Sequence, residues 1–481
     1  MMRGNRAQLS IFPAGLEAAA VAMSVGVDLT FNRVTYVGIF NDYIMAVALC
    51  IAGALLSVAL DRRMALLVPL SGLSFLFPTA ASSALLLALS WRTRVGSWVK
   101  WPVLAAASAG FGWSLMRIWG DPVNALAVPI DLLEQGLAPL VPALVVLSVV
   151  PAVLSDGKAR GFYLPPWAPW AAALGVSVLP MLEQVGRGYV APETVDWIYY
   201  YRALLHPTVG WFLLSRPAYI GLLYPFSKVF GAYEVSIAQF PFLALFYTFS
   251  AYYLAKSWKR DLALPAALLA AVSPMLLTFL YSGLQANLFS ISVMFLALAN
   301  LLKGRWKYAA GLSYLSLTSH VYAWAQLQGA TLIYAAWKWW RGELDPKTRN
   351  YVLATSAPFV AGLALIGTGF YAVPLAPLNP LALYRSLEFQ FAILSWGSAN
   401  AFLYYIFVYL GNRKVPGLLA SLYVSSVVAM FFVGTAQNLL IDLPLFVPVA
   451  AAMSELNRGL RNAVLLAMVS WALVMALASA P

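Results

Sequence analysis

Charge is scarce in this chain. Asp, Glu, Lys and Arg together make up 10% of its 481 residues, less than half of the roughly 25% found in soluble domains. Cysteine is almost absent: Cys50 stands alone, so an intramolecular disulfide, a thiolate zinc site and an iron–sulfur cluster are all excluded. Histidine is nearly as rare. His206 and His320 are the only two, too few to ligate a pair of haems, and no HExxH motif supports a zinc-dependent intramembrane protease. No DxD or other carboxylate cluster in a loop calls for a divalent ion, so no cofactor is expected, with a divalent metal left open.

What the chain has in abundance is apolar surface. Hydrophobic residues reach 62% and the mean hydropathy is +0.79. Stretches of roughly 18 or more apolar residues recur, enough to cross a ~30 Å hydrocarbon core as helices. Helices satisfy their own backbone polar groups without water, so the expected fold is all-α, a polytopic transmembrane bundle. The net charge of +12 is spread in a pattern that excludes nucleic acid as the partner. Basic residues gather in alternate short loops: Lys158 and Arg160; Lys256, Lys259 and Arg260; Lys303, Arg305 and Lys307. Lys338, Arg341, Lys347 and Arg349 follow, then Arg413 and Lys414, then Arg458 and Arg461. The positive-inside rule puts these loops in the cytoplasm. The expectation is a multi-pass protein of a prokaryotic plasma membrane with a cytoplasmic N-terminus. Met1 to Arg6 is basic, but the apolar run after it contains Glu17 and reads as an anchor rather than a cleaved signal.

Spans are expected near 166–183, 235–256, 261–281, 284–302, 306–320, 321–338, 350–371, 396–411, 416–434, 437–453 and 462–479, with a break near Ser319 and His320. The first third offers candidates near 14–31, 43–60, 101–119 and 138–155, and Met64 to Trp91 is expected to turn back at Pro78. The link from Ser155 to Trp170 divides the chain into an N-terminal bundle, 1–160, and a larger domain, 161–481. Outer loops of the larger domain are placed at 184–234 and 373–395.

The first of these loops concentrates the polar groups. It holds Glu193, Asp196, Tyr199, Tyr200, Tyr201, Arg202, His206, Arg216 and Lys228. A short interfacial helix is expected from Thr194 to Leu205, burying Trp197, Ile198, Tyr201, Leu204 and Leu205 at spacings of three and four. A second is expected from Pro217 to Phe230, with proline at its first position.

Asp196, then Arg216-Pro217-Ala218-Tyr219, then Lys228-Val229-Phe230-Gly231 resemble the outer-loop pattern of the GT-C superfamily. These are integral-membrane glycosyltransferases such as the protein O-mannosyltransferases and the lipid A aminoarabinose transferase. Tyr281 to Asn287, Lys307 to Leu312 and Asn438 to Pro448 resemble later segments of that family, so the likeness covers about residues 165–480. It departs from the family where Val195 and Trp197 flank a single acid, where Gln285 or Asn287 replaces the acid of the later outer turn, where Ala218 replaces a second proline, and where Gln437 and Asn438 stand near a missing arginine.

The resemblance implies an inverting transfer of a sugar from a polyprenyl-phosphate donor to a glycan, lipid or protein acceptor on the outer face. Asp196 would be the general base, with Glu193 its near neighbour, and Arg216 would lie at the donor phosphate. Chemically, such a transfer needs a base on the acceptor hydroxyl and cations on the departing phosphate. Arg202, Arg216, Lys228 and Arg385 are candidates for the cations. Tyr199, Tyr200, His206, Tyr219 and His320 are candidate substrate contacts. Each has a plainer alternative: a solvated acid for Asp196, snorkelling anchors for Arg216 and Lys228, a salt bridge with Glu388 for Arg385. For the tyrosines it is an aromatic belt, for His206 a turn before Pro207, and for His320 an interhelical hydrogen bond. Two other functions fit the composition, a non-catalytic subunit that holds a partner through residues 1–160 and a secondary transporter.

Overall fold

The computed structural model describes residues 13–21, 24, 39–60, 71, 74, 77–92, 97–120, 165–186, 197–206, 216–281, 283–368, 415–430, 443–454, 465, 468, 469 and 472. Among the described residues there is no strand; every regular element is helical. In chain order the helices are α1 (Ile39–Leu60), α2 (Pro78–Arg92), α3 (Ser97–Gly120), α4 (Ala168–Gly186), α5 (Trp197–Leu205), α6 (Pro217–Phe230) and α7 (Ala232–Trp258). They continue with α8 (Ala263–Ala271), α9 (Pro274–Tyr281), α10 (Gln285–Leu302), α11 (Trp306–Ser319) and α12 (Val321–Trp340). The last are α13 (Pro346–Gly367), α14 (Gly417–Met430) and α15 (Phe446–Met453). The expected spans 138–155 and 396–411 lie outside the described residues, as does most of 462–479.

Helix α10 is the centre of the molecule. It is enclosed on nearly every side, with 15 of its 18 residues buried, and it packs against α7, α11 and α12. Helix α7 in turn packs against α4, α8 and α6. Both α7 and α10 are long and apolar enough to cross a membrane. With a rise of ~1.5 Å per residue, α10 carries its two ends about 27 Å apart. At its far end Gly304 has φ 68°, the Arg305 N–H donates to the Asn300 carbonyl at 2.8 Å and the Gly304 N–H to the Leu301 carbonyl at 2.9 Å. This left-handed glycine cap closes the last turn.

Polar side chains inside the bundle bind helix to helix. The Gln328 amide on α12 donates to Ser313 Oγ on α11 at 2.8 Å and to the Tyr351 hydroxyl on α13 at 3.4 Å, while Thr355 Oγ1 donates to Gln328 Oε1 at 2.9 Å. The Gln326 amide reaches Ser426 Oγ on α14 at 2.5 Å. A typical hydrogen bond inside a protein adds only about 0.5–1.5 kcal/mol net, so these bonds set register more than they add stability. In the N-terminal part α2 packs against α1 and α3, and Glu17 is fully buried beside Cys50 and Ser82.

One expected span is interrupted. The run 261–281 divides into α8 and α9 at Val272 and Ser273, because Pro274 has no N–H to continue the ladder. Ser273 restarts it: its hydroxyl accepts the Leu276 N–H at 3.1 Å, a side-chain N-cap. The run expected at 437–453 is helical among the described residues only from Phe446, just after Pro444. Several other boundaries agree with expectation. Helix α6 begins at Pro217, α2 begins at Pro78, and His320 is extended (φ −165°, ψ 125°) between α11 and α12.

Candidate functional site

Helices α5 and α6 lie together over the N-terminal end of α10, and both also touch α7. Their attachment is aromatic. Tyr200 and Tyr219 are fully buried, with ring centroids 5.7 Å apart and nearly perpendicular planes, and Tyr219 sits 5.3 Å from Phe289 of α10. Edge-to-face pairs of this kind add about 0.5–1.5 kcal/mol to the apolar burial itself. On the neighbouring face Trp197 stacks on Tyr201 at 5.3 Å, and Tyr233 meets both rings edge-on.

The two buried hydroxyls are committed to this architecture. Tyr200 accepts the Ala286 N–H at 3.0 Å. Ala286 is in the first turn of α10, where no helical carbonyl is on offer, so Tyr200 closes that helix end from 86 residues away in sequence. Tyr219 donates to Gln239 Oε1 at 2.6 Å, and the other end of that amide donates to the Ser236 carbonyl at 2.8 Å. Both tyrosines brace the layer above α10. Tyr199, by contrast, points outward and is 49% exposed.

The expected apolar face of α5 is turned by about one residue. Tyr200 and Leu204 are buried and Trp197 and Tyr201 are half-buried, whereas Ile198 and Leu205 are exposed. The reason is that α5 packs on protein, on α6 and α7, and its register follows the Tyr200 bond to α10.

Arg216 caps the start of α6 and is half-buried. Helix α6 packs against α11, and the Arg216 guanidinium lies near enough for its charge to act on the His320 ring. His320 is 8% exposed. Its carbonyl accepts from Ser290 Oγ of α10 at 3.1 Å, its ring meets Tyr322 edge-on at 5.2 Å, and its Nδ1 has no hydrogen-bond partner among the described residues. Residues 104 apart in sequence are thus brought together at the break between α11 and α12. Gln285, at the first position of α10, is fully buried with both ends of its amide unpaired among the described residues. It was not among the candidate residues. Its visible signal is a polar side chain directly after the Gly283-Leu284 turn, where the chain re-enters apolar sequence.

The other candidates are scattered. Arg202 and His206 are exposed at the end of α5. Lys228 is exposed on the last turn of α6, its ammonium 4.7 Å from the Tyr224 ring centroid. At the α6–α7 turn Gly231 has φ 99°, and the Glu234 side chain folds back over it into the space a Cβ would need. Asp196, Glu193 and Arg385 lie outside the described residues, as does Glu388. Among the described residues no group of His, Cys, Asp and Glu is placed to hold a metal ion.

Arg216, His320 and Gln285 thus lie at the same end of the bundle as the aromatic helices α5 and α6, on elements packed on or next to α10. The chain matches no family model, no characterised protein and no solved structure.

Proposed function

We propose that this all-helical chain is a multi-pass membrane protein that transfers a sugar from a polyprenyl-phosphate donor to an acceptor at the outer face of the membrane. The observation that carries the reading is that α6, with Arg216 at its start, packs on α11, which ends at the buried His320. A cation held at the mouth of an apolar bundle suits a phosphate whose prenyl tail must stay in lipid. An arginine fork matches phosphate oxygens, and its charge acts strongly where water is thin. The outer-loop pattern of Asp196, Arg216-Pro217 and Lys228 points to the same chemistry.

In this reading the acceptor hydroxyl loses its proton to the Asp196 carboxylate as its oxygen attacks the anomeric carbon. The bond from that carbon to the phosphate oxygen breaks with inversion, and the electron pair leaves on the polyprenyl phosphate. Arg216 stabilises the charge that gathers there. Tyr200 and Tyr219 hold the layer in place, which makes them positioning residues.

The test is a panel of radiolabelled polyprenyl-phosphate sugars offered to the purified protein. Transfer from at least one donor is expected, abolished in Asp196→Asn and reduced at least ten-fold in Arg216→Gln, with helical content unchanged in both. Undiminished transfer by Asp196→Asn removes that residue from the mechanism, and no transfer from any donor removes the enzyme reading.

A further inference from the structure

At the opposite end of α10 from the aromatic layer lies a cavity of about 230 Å³. Five helices and the turns between them line it: Leu301 and Leu302 of α10 with Gly304 after it, Trp306 of α11, Thr331 and Tyr334 of α12, Asp345 with Lys347, Thr348 and Tyr351 of α13, and Leu418 of α14. Nothing in the sugar-transfer scheme uses it.

The cavity wall is mixed in a particular way. Leu301, Leu302, Leu418 and the Trp306 and Tyr334 rings give it an apolar side, while Lys347, Asp345, Thr348 and the buried Thr331 and Tyr351 side chains give it a polar one. Lys347 is exposed at the rim, and its ammonium lies over Gly304, where an added Cβ would meet Nζ at 2.9 Å. The surrounding turns carry Lys303, Arg305, Lys307, Lys338, Arg341, Lys347 and Arg349, against the acids Glu343 and Asp345 alone. Both acids are engaged. Glu343 lies 3.9 Å from Arg341, and Asp345 lies 3.9 Å from Lys338 while accepting the Thr348 N–H at 2.9 Å and hydroxyl at 2.7 Å. Seven cations less two acids leaves a surplus of five positive charges around one small cavity. Beside it Trp337, Trp339 and Trp340 are 40%, 73% and 81% exposed, large indole surfaces of the kind found at head-group depth.

We propose that this cavity binds the phosphate-bearing head group of an anionic phospholipid, the phosphate drawn by Lys347 and its glycerol against Thr331 and Tyr334. A 230 Å³ space admits a head group and excludes the acyl chains, which run outward along the Trp306 and Leu418 side. Basic pockets between helices at the cytoplasmic face are the usual hosts for such lipids. The inference rests on the membrane reading above and is independent of sugar transfer. Membrane fractionation of the full chain tests the membrane reading separately.

The experiment uses full-length protein purified in a neutral detergent, with lipid retention read by native mass spectrometry and unfolding temperature read alongside. The additives are dioleoyl-phosphatidylglycerol, dioleoyl-phosphatidylcholine and glycerol phosphate. The expected result is selective retention and thermal stabilisation by phosphatidylglycerol, at least ten-fold tighter than phosphatidylcholine. Lys347→Gln should weaken it about five-fold or more, the worth of one charge near a head group. Thr331→Leu, which fills the cavity without changing charge, should weaken it as well, whereas Arg341→Gln, outside the cavity, should have a smaller effect. Equal retention of the two lipids overturns the proposal, and so does equal binding of glycerol phosphate alone, which would mean a soluble anionic ligand. Retention by Lys347→Gln and Thr331→Leu at the wild-type level would mean that the basic surface acts as a whole and the cavity does not. Should either variant fail to fold, the three additives on the wild-type protein still decide between lipid, soluble anion and neither.

Discussion

Replacing Tyr200 with phenylalanine removes one oxygen and little else. The ring is 1% exposed and its packing against Tyr219 survives the change, so the apolar contribution is nearly constant. What is lost is the acceptor for the Ala286 N–H at 3.0 Å, at a helix end that supplies no carbonyl of its own. Leaving a buried donor unpaired costs about 1–3 kcal/mol. Hydrogen bonds between membrane helices measured by double-mutant cycles average only about 0.6 kcal/mol, with a maximum near 1.7, because the unfolded chain also finds partners. A backbone N–H cannot rotate to another acceptor as a side chain can, so the upper part of that range applies and roughly 1–2 kcal/mol is expected. Tyr219→Phe is the internal comparison. It takes the donor from Gln239 Oε1 but leaves the amide its bond to the Ser236 carbonyl, so a smaller loss of about 0.5–1 kcal/mol follows. The rings touch, so the double variant should depart from the sum. The measurement is reversible unfolding in mixed detergent micelles of increasing dodecyl sulfate content. A Tyr200→Phe protein within about 0.3 kcal/mol of wild type, which is below the lower edge of the range for an orphaned N–H, would refute the reasoning.

Other outcomes follow from the same geometry. Gly231→Ala combines φ 99° with a collision at the Glu234 carboxylate and should cost about 1–3 kcal/mol; adding Glu234→Ala should recover the collision part only, which the same unfolding assay can read. At the start of α13, burial raises the Asp345 pKa, but hydrogen bonds from the Thr348 N–H and hydroxyl and the nearby Lys338 outweigh it and hold the carboxyl below its ordinary value. Its contribution is therefore complete above the ordinary aspartate range and fades as pH falls through the lowered native value. Asp345→Ala should lose about 1 kcal/mol at neutral pH, a cap's worth, and flatten that acid limb in pH-dependent unfolding; the ion pair adds little because the carboxylate is 41% exposed. Ser273→Ala, which leaves the Leu276 N–H without its cap at the start of α9, should cost a similar ~1 kcal/mol, seen as a lower unfolding midpoint.

Much of the helix layout could be read along the chain, because it depends on neighbours in sequence. Pro217 after Arg216 marks the start of α6, and the polar Ser319-His320 step marks the break between α11 and α12. Ser273-Pro274 carried an equally local signal for the interruption of the 261–281 run, since proline removes a ladder hydrogen bond wherever it stands. Charge in the turns from Lys303 to Lys307 and from Lys338 to Arg349 is likewise plain from composition.

The tertiary structure alone decided which polar residues meet. Nothing local distinguishes Tyr200, buried and bonded to Ala286, from Tyr199 one position earlier, which is exposed. The choice turns on a 100° rotation per residue of a short helix, settled by the helix end it must close. Arg216 and His320 are drawn toward each other only because α6 packs on α11, and five helices with their turns line a cavity that no single segment encodes. Periodicity and composition act over one or two turns of chain, whereas a site in a bundle is made by side chains that converge from distant helices.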